Sequence, residues 1–507
     1  MTKLELIAEN ERLKAHIAKQ NLILAKLQKM LFGPKSERYK KEEEASNQMR
    51  LFGTQISKEE QQQAQEQEKE TITYQRKKTK EKKSATRIPL PEDLPRIEVV
   101  IEPSGDLSGL VKIGEEVTEI LDIIPPQFQV IRIVRPKYAK PEAKTQQIAN
   151  PILIAPMPER VIDKGIPSTR LLVYIIMSKF VDHLPYYRQI EMFKRIGLKL
   201  KSNTINGWIA KTCVLLKPLY EAFCKHQFSK KYLQADESTI KVLKVKKNGK
   251  KGKAHTGYYW VYYDPIDHHV VFVYDPGRGR KYPVQHLKDF KGSLQTDGLS
   301  VYDEFDKLDH ITLIACMAHI RRKFIEALPN DKKGAEPAIV LIQQLYEIEQ
   351  QARQNNYSAE QRLDLRQQKA VPIMEQLKNY LDKLHDDPQV LNSSALGGAV
   401  RYALGRWKYQ KRYLEDGQIE IDNNLVENAI RPIALGRKNY LFAGSENGAQ
   451  WGAMIYTLLG SAIRQGHKPM EYLCDILRRL PNIKISELNQ LFPANWKKQP
   501  DNRLDLI

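Results

Sequence analysis

The sequence predicts an α/β catalytic domain interrupted by a helical insertion, and three observations carry that prediction. First, β-branched and aromatic segments bounded by turn residues recur at 231–239, 257–264, 269–277, 292–305 and 311–319. Second, residues 329–415 are mostly helical in pattern, clearest in AIVLIQQLYEIEQQARQ and RQQKAVPIMEQLKNYLDKL. Third, three antiparallel-looking strands are followed by a strand, helix and strand, and the segment 311–319 runs into the helix IRRKFIEAL. This is the order of a ribonuclease-H-like sheet. Residues 229–328 are expected to form its first part, 416–466 its second, and 467–507 a C-terminal region.

Upstream of the sheet, residues 1–38 read as a coiled coil. Asn10, Ile17, Leu24 and Leu31 fall at a positions, with Leu6, Leu13, Gln20 and Leu27 at d. Asn10 at an a position favours a two-stranded coil, hence a homodimer; the alternative is an amphipathic helix packed on its own domain. Gly33 and Pro34 in LFGPKSER end the helix. Residues 39–86 are rich in Glu, Gln and Lys and read as a disordered linker. Its basic end, RKKTKEKK at 76–83, suits either contact with phosphate or simple solvation.

Alternation in RIEVVIEP and FQVIRIVRPKYAK predicts a small β-rich module over 87–160. Residues 161–228 contain a helix-turn-helix pattern. Ile190, Phe193 and Lys194 lie on the first helix, Gly197 makes the turn, and Ser202 or Asn203 caps the second. The second helix then offers Asn203, Thr204, Asn206 and Lys211 to a major groove, although any short helical hairpin shares the pattern.

Bulk properties narrow the class. The chain has 507 residues, and 81 Lys+Arg against 61 Asp+Glu leave a net charge of +20, which favours polyanions and nucleic acid first. The longest apolar run, LLVYIIM at 171–177, is too short to span a bilayer, and MTKLELIAEN carries charge where a signal peptide needs apolar residues. A cytoplasmic protein with no membrane partner is expected. Cys213, Cys224, Cys316 and Cys474 form no CxxC pair, so reduced thiols are expected rather than disulfides or a zinc knuckle.

Three acids stand out. Asp236 follows the apolar run YLQA and Asp297 follows SLQT, in flanks that echo each other as LQAD and LQTD. Both read as strand-end carboxylates at the sheet centre. Glu427 lies on a helix capped by Asp422 or Asn423 and expected to end near Pro432. Taken singly, each acid is ordinarily a turn residue or one half of a surface pair, Glu427 with Arg431. Brought together they would repel strongly, so the grouping implies a neutralising cation. Two Mg²⁺ ions (or Mn²⁺) suit oxygen donors of this kind.

LQADEST, GYYWVYYDP, LQTDGLSVYDEF, CMAHIRRKF and IDNNLVENAIRPIALGRKNYLFAGSENGA resemble the catalytic blocks of the insertion-sequence-sixty-six family of bacterial DDE transposases. The resemblance extends over nearly the whole chain, including the zipper with LFGPKSER and the stretches 115–139 and 178–195. It implies a DNA transposase with a ribonuclease-H-like domain, whose catalytic and metal-binding triad is Asp236, Asp297 and Glu427. It makes His319 and Arg322 active-site neighbours and gives Arg437 and Lys438, with Asn439, DNA-backbone contacts. Asn423 and Arg431 would support the site. Partners implied are the element's terminal inverted repeats, target DNA and two small accessory proteins of the same element. The family's small module carries paired cysteines, but this chain reads IEPSGDLSGLVKIGEE and KYAKPEAK there, so no structural zinc is expected in it. A nuclease that cuts without joining, and a DNA-binding regulator with an inert catalytic fold, are the alternative readings.

Overall fold

The computed structural model describes residues 127–139, 152–157, 160–163, 165–243 and 254–499. The coiled coil, the linker and most of the β module lie outside the described residues. From that module, β1 (Lys137–Ala139) pairs antiparallel with β2 (Ile152–Ile154).

Three helices follow: α1 (Thr169–Phe180), α2 (Tyr186–Arg195) and α3 (Ser202–Gln227). Ser168 caps α1 by accepting the Leu171 N–H, and Gly197, at φ +92°, makes the turn after α2. The expected cap of α3 by Ser202 or Asn203 is corrected. Lys201 holds the cap position without a side-chain hydrogen bond, and the helix runs 26 residues through Pro218. Its stability comes instead from a buried stripe, with Ile205, Trp208, Ile209, Leu216, Leu219 and Phe223 on one face.

The sheet is built from β3 (Tyr232–Val242), β4 (His255–Asp264) and β5 (His269–Asp275), then α4 (Lys281–His286), β6 (Gly292–Thr296) and β7 (Ile311–Ile314). Its order is β5-β4-β3-β6-β7, antiparallel among the first three strands and parallel from β3 to β7. Two expectations change here. Asp236 is interior to β3, because β4 stays paired with β3 as far as Val242 opposite His255. The segment expected as one strand over 292–305 stops at Thr296, where Gly298 at φ +89° turns the chain into a 3-10 helix over Ser300–Lys307.

After β7 come α5 (Met317–Ala327) and the insertion helices α6 (Lys332–Gln354), α7 (Ala359–Leu365), α8 (Val371–Asp386) and α9 (Ala395–Gln410). They share an apolar core in which Ile342, Leu345, Leu377, Leu381, Val400 and Ala403 meet Phe324 of α5. Within it Arg366 is fully buried and pairs with Glu349 at 2.8 Å. Arg366 also donates to the carbonyls of Tyr413, Asp416 and Ile419, each at 2.8 Å. Arg362 bridges Glu349 at 2.7 Å and Glu420 at 2.9 Å. The insertion is thereby fastened to the strand of chain that leads into the next helix.

That helix is α10 (Asn424–Tyr440), followed by β8 (Phe442–Ala443), α11 (Glu446–Arg464) and α12 (Pro469–Arg479). α10 does not end near Pro432 but carries it inside, so Arg437 and Lys438 form its last turn rather than following it. β8 pairs in parallel with the far end of β3 at Lys241 and Val242. Helices α1, α3, α10, α11 and α12 cover one face of the sheet over Tyr259, Val261 and Phe272; Trp260, Tyr262, Leu233 and Ala235 cover the other with Phe290 and Tyr302. On the edge strand β5, the N–H groups of Phe272 and Val270 donate to Thr457 Oγ1 and Ser461 Oγ of α11. This satisfies an edge that would otherwise template further strands. Among the described residues no helix is long and apolar enough to cross a membrane.

Candidate active site

The sheet register brings the first two acids together. β3 and β6 pair in parallel up to Ala235 opposite Thr296, so Asp236 and Asp297 are the next residues on adjacent chains. One residue beyond, Gly298 is required for a second reason besides its φ: a Cβ there would come within 2.9 Å of the Tyr402 hydroxyl. Tyr402 and Arg406 of α9 hold this turn, donating to the carbonyls of Asp297 and Gly298 at 2.7 Å each.

The echo of LQAD and LQTD has a physical cause. Residues two apart share a strand face, so Gln234 lies on the face of Asp236, and Gln295 lies two residues before Asp297. The two glutamines are opposite each other in register, and Gln234 Nε2 donates to Gln295 Oε1 at 2.9 Å. Gln234 also donates to the Asp422 carbonyl and accepts the Val426 N–H; Gln295 donates to the Glu420 carbonyl at 2.8 Å. Tyr232 completes the ladder, donating to Gln295 Oε1 and accepting the Glu420 N–H. The backbone of 420–426 is thus sewn to β3 and β6, and Glu427 in the first turn of α10 follows directly. Gln234→Leu is expected to cost about 1–3 kcal/mol for each buried backbone group left unpaired, Asp422 C=O and Val426 N–H. A lowered urea midpoint at unchanged m-value would register it.

Glu427 is not paired with Arg431, which is exposed on α10, so the surface pair that Glu427 taken singly would suggest is not formed. Glu427 faces α5 instead, with His319 Nε2 at 3.9 Å and Arg322 Nη2 at 3.8 Å. Arg322 and His319 are themselves 3.2 Å apart. Burial and the Arg322 charge lower the His319 pKa, against the pull of Asp297 and Glu427. The N-termini of α5 and α10 are tied as Met317 N–H donates to the Ile421 carbonyl and Asn423 N–H to Cys316 Sγ.

The charges of the other acids are felt at Asp236. Burial pushes the Asp236 carboxyl well above the usual carboxylate range, and the charges of Glu237, Asp297 and Glu427 push it further. One backbone hydrogen bond, from Glu237 N–H to Asp236 Oδ1 at 2.7 Å, works the other way. Asp297 Oδ1 accepts the Leu299 N–H at 2.8 Å, and Glu427 Oε1 is buried with no hydrogen-bond partner. Each acid therefore keeps an oxygen that no donor among the described residues reaches. Oxygen-only donors with surplus negative charge fit a hard divalent cation. Asn423, fully buried with neither side-chain atom partnered, adds another oxygen close by in sequence.

The other predicted residues separate into groups. Asn203, Asn206 and Lys211 are exposed on α3, and Thr204 is half-buried. Arg437 is engaged within the fold, donating to Ser238 Oγ, Thr239 O and Thr239 Oγ1, whereas Lys438 is exposed. Sequence reasoning missed Glu237 and Arg278. Glu237, next to Asp236, has one oxygen held by Arg278 Nε at 2.8 Å and the other buried without a partner. Asp297 also raises the Glu237 pKa, so this arginine borders the acid group. The signal available was GRGRK at 277–281, a basic run after β5. Tyr402 and Arg406 had no local signal, since both lie in an ordinary helical pattern.

Similarity to known proteins extends over most of the chain. Residues 164–451 match the model described as Transposase IS66 family, which covers more than half of the chain. Residues 19–99 match one described as Transposase C of IS166 homeodomain. Residues 104–139 match one described as zinc-finger binding domain of transposase IS66, although this stretch has neither cysteine nor histidine. The chain is 32% identical over 431 residues to the uncharacterized protein y4jD of Sinorhizobium fredii, covering 80% of this chain and 81% of that one. It is 35% identical over 427 residues to the uncharacterized protein y4qI of the same organism, covering 80% and 76%. By the family match and by these relatives together, the chain belongs to the Transposase IS66 family.

Proposed function

We propose that the chain is a metal-dependent DNA transposase that cleaves the ends of its element and joins the freed 3′-hydroxyl to target DNA. Asp236, Asp297 and Glu427 are the catalytic and metal-holding residues in this reading. The observation that carries it is the shared charge of the three acids around the end of the β3–β6 pairing. The strand order β5-β4-β3-β6-β7, or 3-2-1-4-5 in order of occurrence, supports a ribonuclease-H-like domain. Two bound Mg²⁺ or Mn²⁺ ions would activate the attacking oxygen and stabilise the leaving oxygen of the phosphodiester.

The chain's own residues supply position and charge. Asp236 and Asp297 hold fixed oxygens through their backbone hydrogen bonds, and the glutamine ladder sets Glu427 against them. Arg322, about half-exposed beside Glu427, is placed to meet a DNA phosphate. Arg278, oriented by Glu237, is a second such group on the β3 side. Asn203, Thr204, Asn206 and Lys211 on α3, and exposed Lys438 and Arg431 on α10, offer further DNA contacts. The residues at 104–139 lack soft donors, so the module is assigned no zinc. The 1–38 segment would pair two subunits, one for each element end, with the small proteins of the element as helpers. A bacterial cytoplasm is the compartment.

The test is strand transfer. Full-length protein with Mg²⁺ and a pre-cut terminal-repeat duplex is expected to join the 3′ end into a plasmid. Cleavage of the uncut end without any joined product would make the chain a nuclease. Repeat binding with neither product would make it a regulator.

A further inference from the structure

The sheet carries a second group of acids at its opposite end. β4 ends at Asp264, β5 begins at His269, and the two residues face each other across the hairpin. Asp267 lies in the connecting turn. One ligand atom from each of the three lies within 4.8 Å of the other two. In register Asp236 faces Val261, three residues before Asp264, so this group sits about 10 Å further along β4 at 3.4 Å per residue.

The burial of these side chains is the second observation. His269 is 1% exposed, and neither ring nitrogen has a hydrogen-bond partner. Asp264 is also 1% exposed; Oδ1 accepts the N–H groups of Ile266 and Asp267, while Oδ2 has no partner. Buried polar atoms left unpaired at one point call for a bound water or ion there. Phe223 stands edge-on to the imidazole at 5.2 Å and fixes its plane. Burial lowers the His269 pKa to about 4, which keeps the ring neutral and able to ligate.

We propose that Asp264, Asp267 and His269 form a binding site for a transition-metal dication, of which Zn²⁺ is the natural probe. A neutral imidazole with two carboxylates selects such ions over Mg²⁺, which prefers oxygen alone. Lys230, whose ammonium lies 2.5 Å from Asp267 Oδ2, now neutralises part of the site. Its flexible stem lets it yield that oxygen to a dication. The Gln465 side chain donates to the Asp267 carbonyl, so a metal here would fasten the β4–β5 turn where α11 also holds it.

The experiment uses metal-stripped full-length protein carrying Asp236→Asn, which disables the acid trio whatever its role. Calorimetric titration with Zn²⁺ is expected to show one equivalent bound, with a raised melting temperature. Adding His269→Gln or Asp264→Asn should weaken binding by at least about 100-fold. Asp267→Asn, in the turn and outside the core, does the same work should the buried variants fail to fold. Absence of Zn²⁺ binding in the Asp236→Asn protein, or binding untouched by Asp267→Asn and His269→Gln, would overturn the proposal.

Discussion

Asp236→Asn is expected to reduce DNA cleavage by more than about 10³-fold while making the metal-free protein more stable. The first half follows from the loss of a charged ligand, since metal stabilisation of a phosphoryl transition state is worth several kcal/mol and each ~1.4 kcal/mol is tenfold. The second half follows from the direction of the Asp236 shift. Its pKa is raised in the fold, by burial first and then by Glu237, Asp297 and Glu427. The native state thus holds the proton to a higher pH than the unfolded chain does. Stability is then lost as pH rises through the raised native value, because the folded state binds more protons across that window. Asparagine has no charge to repel. In EDTA the variant should melt higher than wild type at pH 8, and the gap should shrink toward pH 4. Adding Mg²⁺ should raise the melting temperature of wild type and leave the variant unchanged. A wild type indifferent to Mg²⁺ at pH 8 would remove the cation from the site.

Glu349→Ala is expected to cost about 3–5 kcal/mol of stability. Arg366 is fully buried and Glu349 is 1% exposed, so the guanidinium would keep its charge with no counter-ion and no water. Its three carbonyl acceptors, at Tyr413, Asp416 and Ile419, hold part of the charge but cannot neutralise it. Glu349→Gln retains the shape and should lose less. Replacing Glu349 and Arg366 together with Leu and Met removes the lone charge but also takes the donor from the carbonyls of Tyr413, Asp416 and Ile419, so it should recover only part of the deficit. Guanidinium denaturation of the four proteins reads this directly. A double variant as unstable as Glu349→Ala would mean that the pair is held for its geometry rather than its charge balance.

Much of the site was legible before any coordinates. The order of strands, the helical insertion and the three acids each rest on local pattern: β-branched runs, 3.6-residue periodicity and carboxylates beside turn residues. What was misread depended on distant partners. β3 continues past Asp236 because His255, on the next strand, and Phe442, two hundred residues later, pair with its far end. Nothing in DEST itself announces this. Arg431 is four residues from Glu427 on the same helix, yet Glu427 turns toward α5. That choice is made by the ladder from Gln234, which fixes the rotation of α10. The Arg366 network was invisible for a similar reason, since charges on helical faces read alike whether they meet solvent or a packed neighbour.

The glutamine ladder also imposes an order in time. Gln234 and Gln295 can face each other as soon as β6 is made, yet their acceptors at Glu420 and Asp422 leave the ribosome more than a hundred residues later. From Asp236 to Glu427 is 191 residues (427 − 236), which takes about 10–40 s at ~5–20 residues per second. From Asp297 on, the last 130 residues of that interval (427 − 297), the nascent chain carries two of its three acids but not the helix that brings the third. The group of three acids is therefore complete only once α10 has been made and β8 can close on β3. A product truncated before α10 would lack Glu427 and hold no complete site.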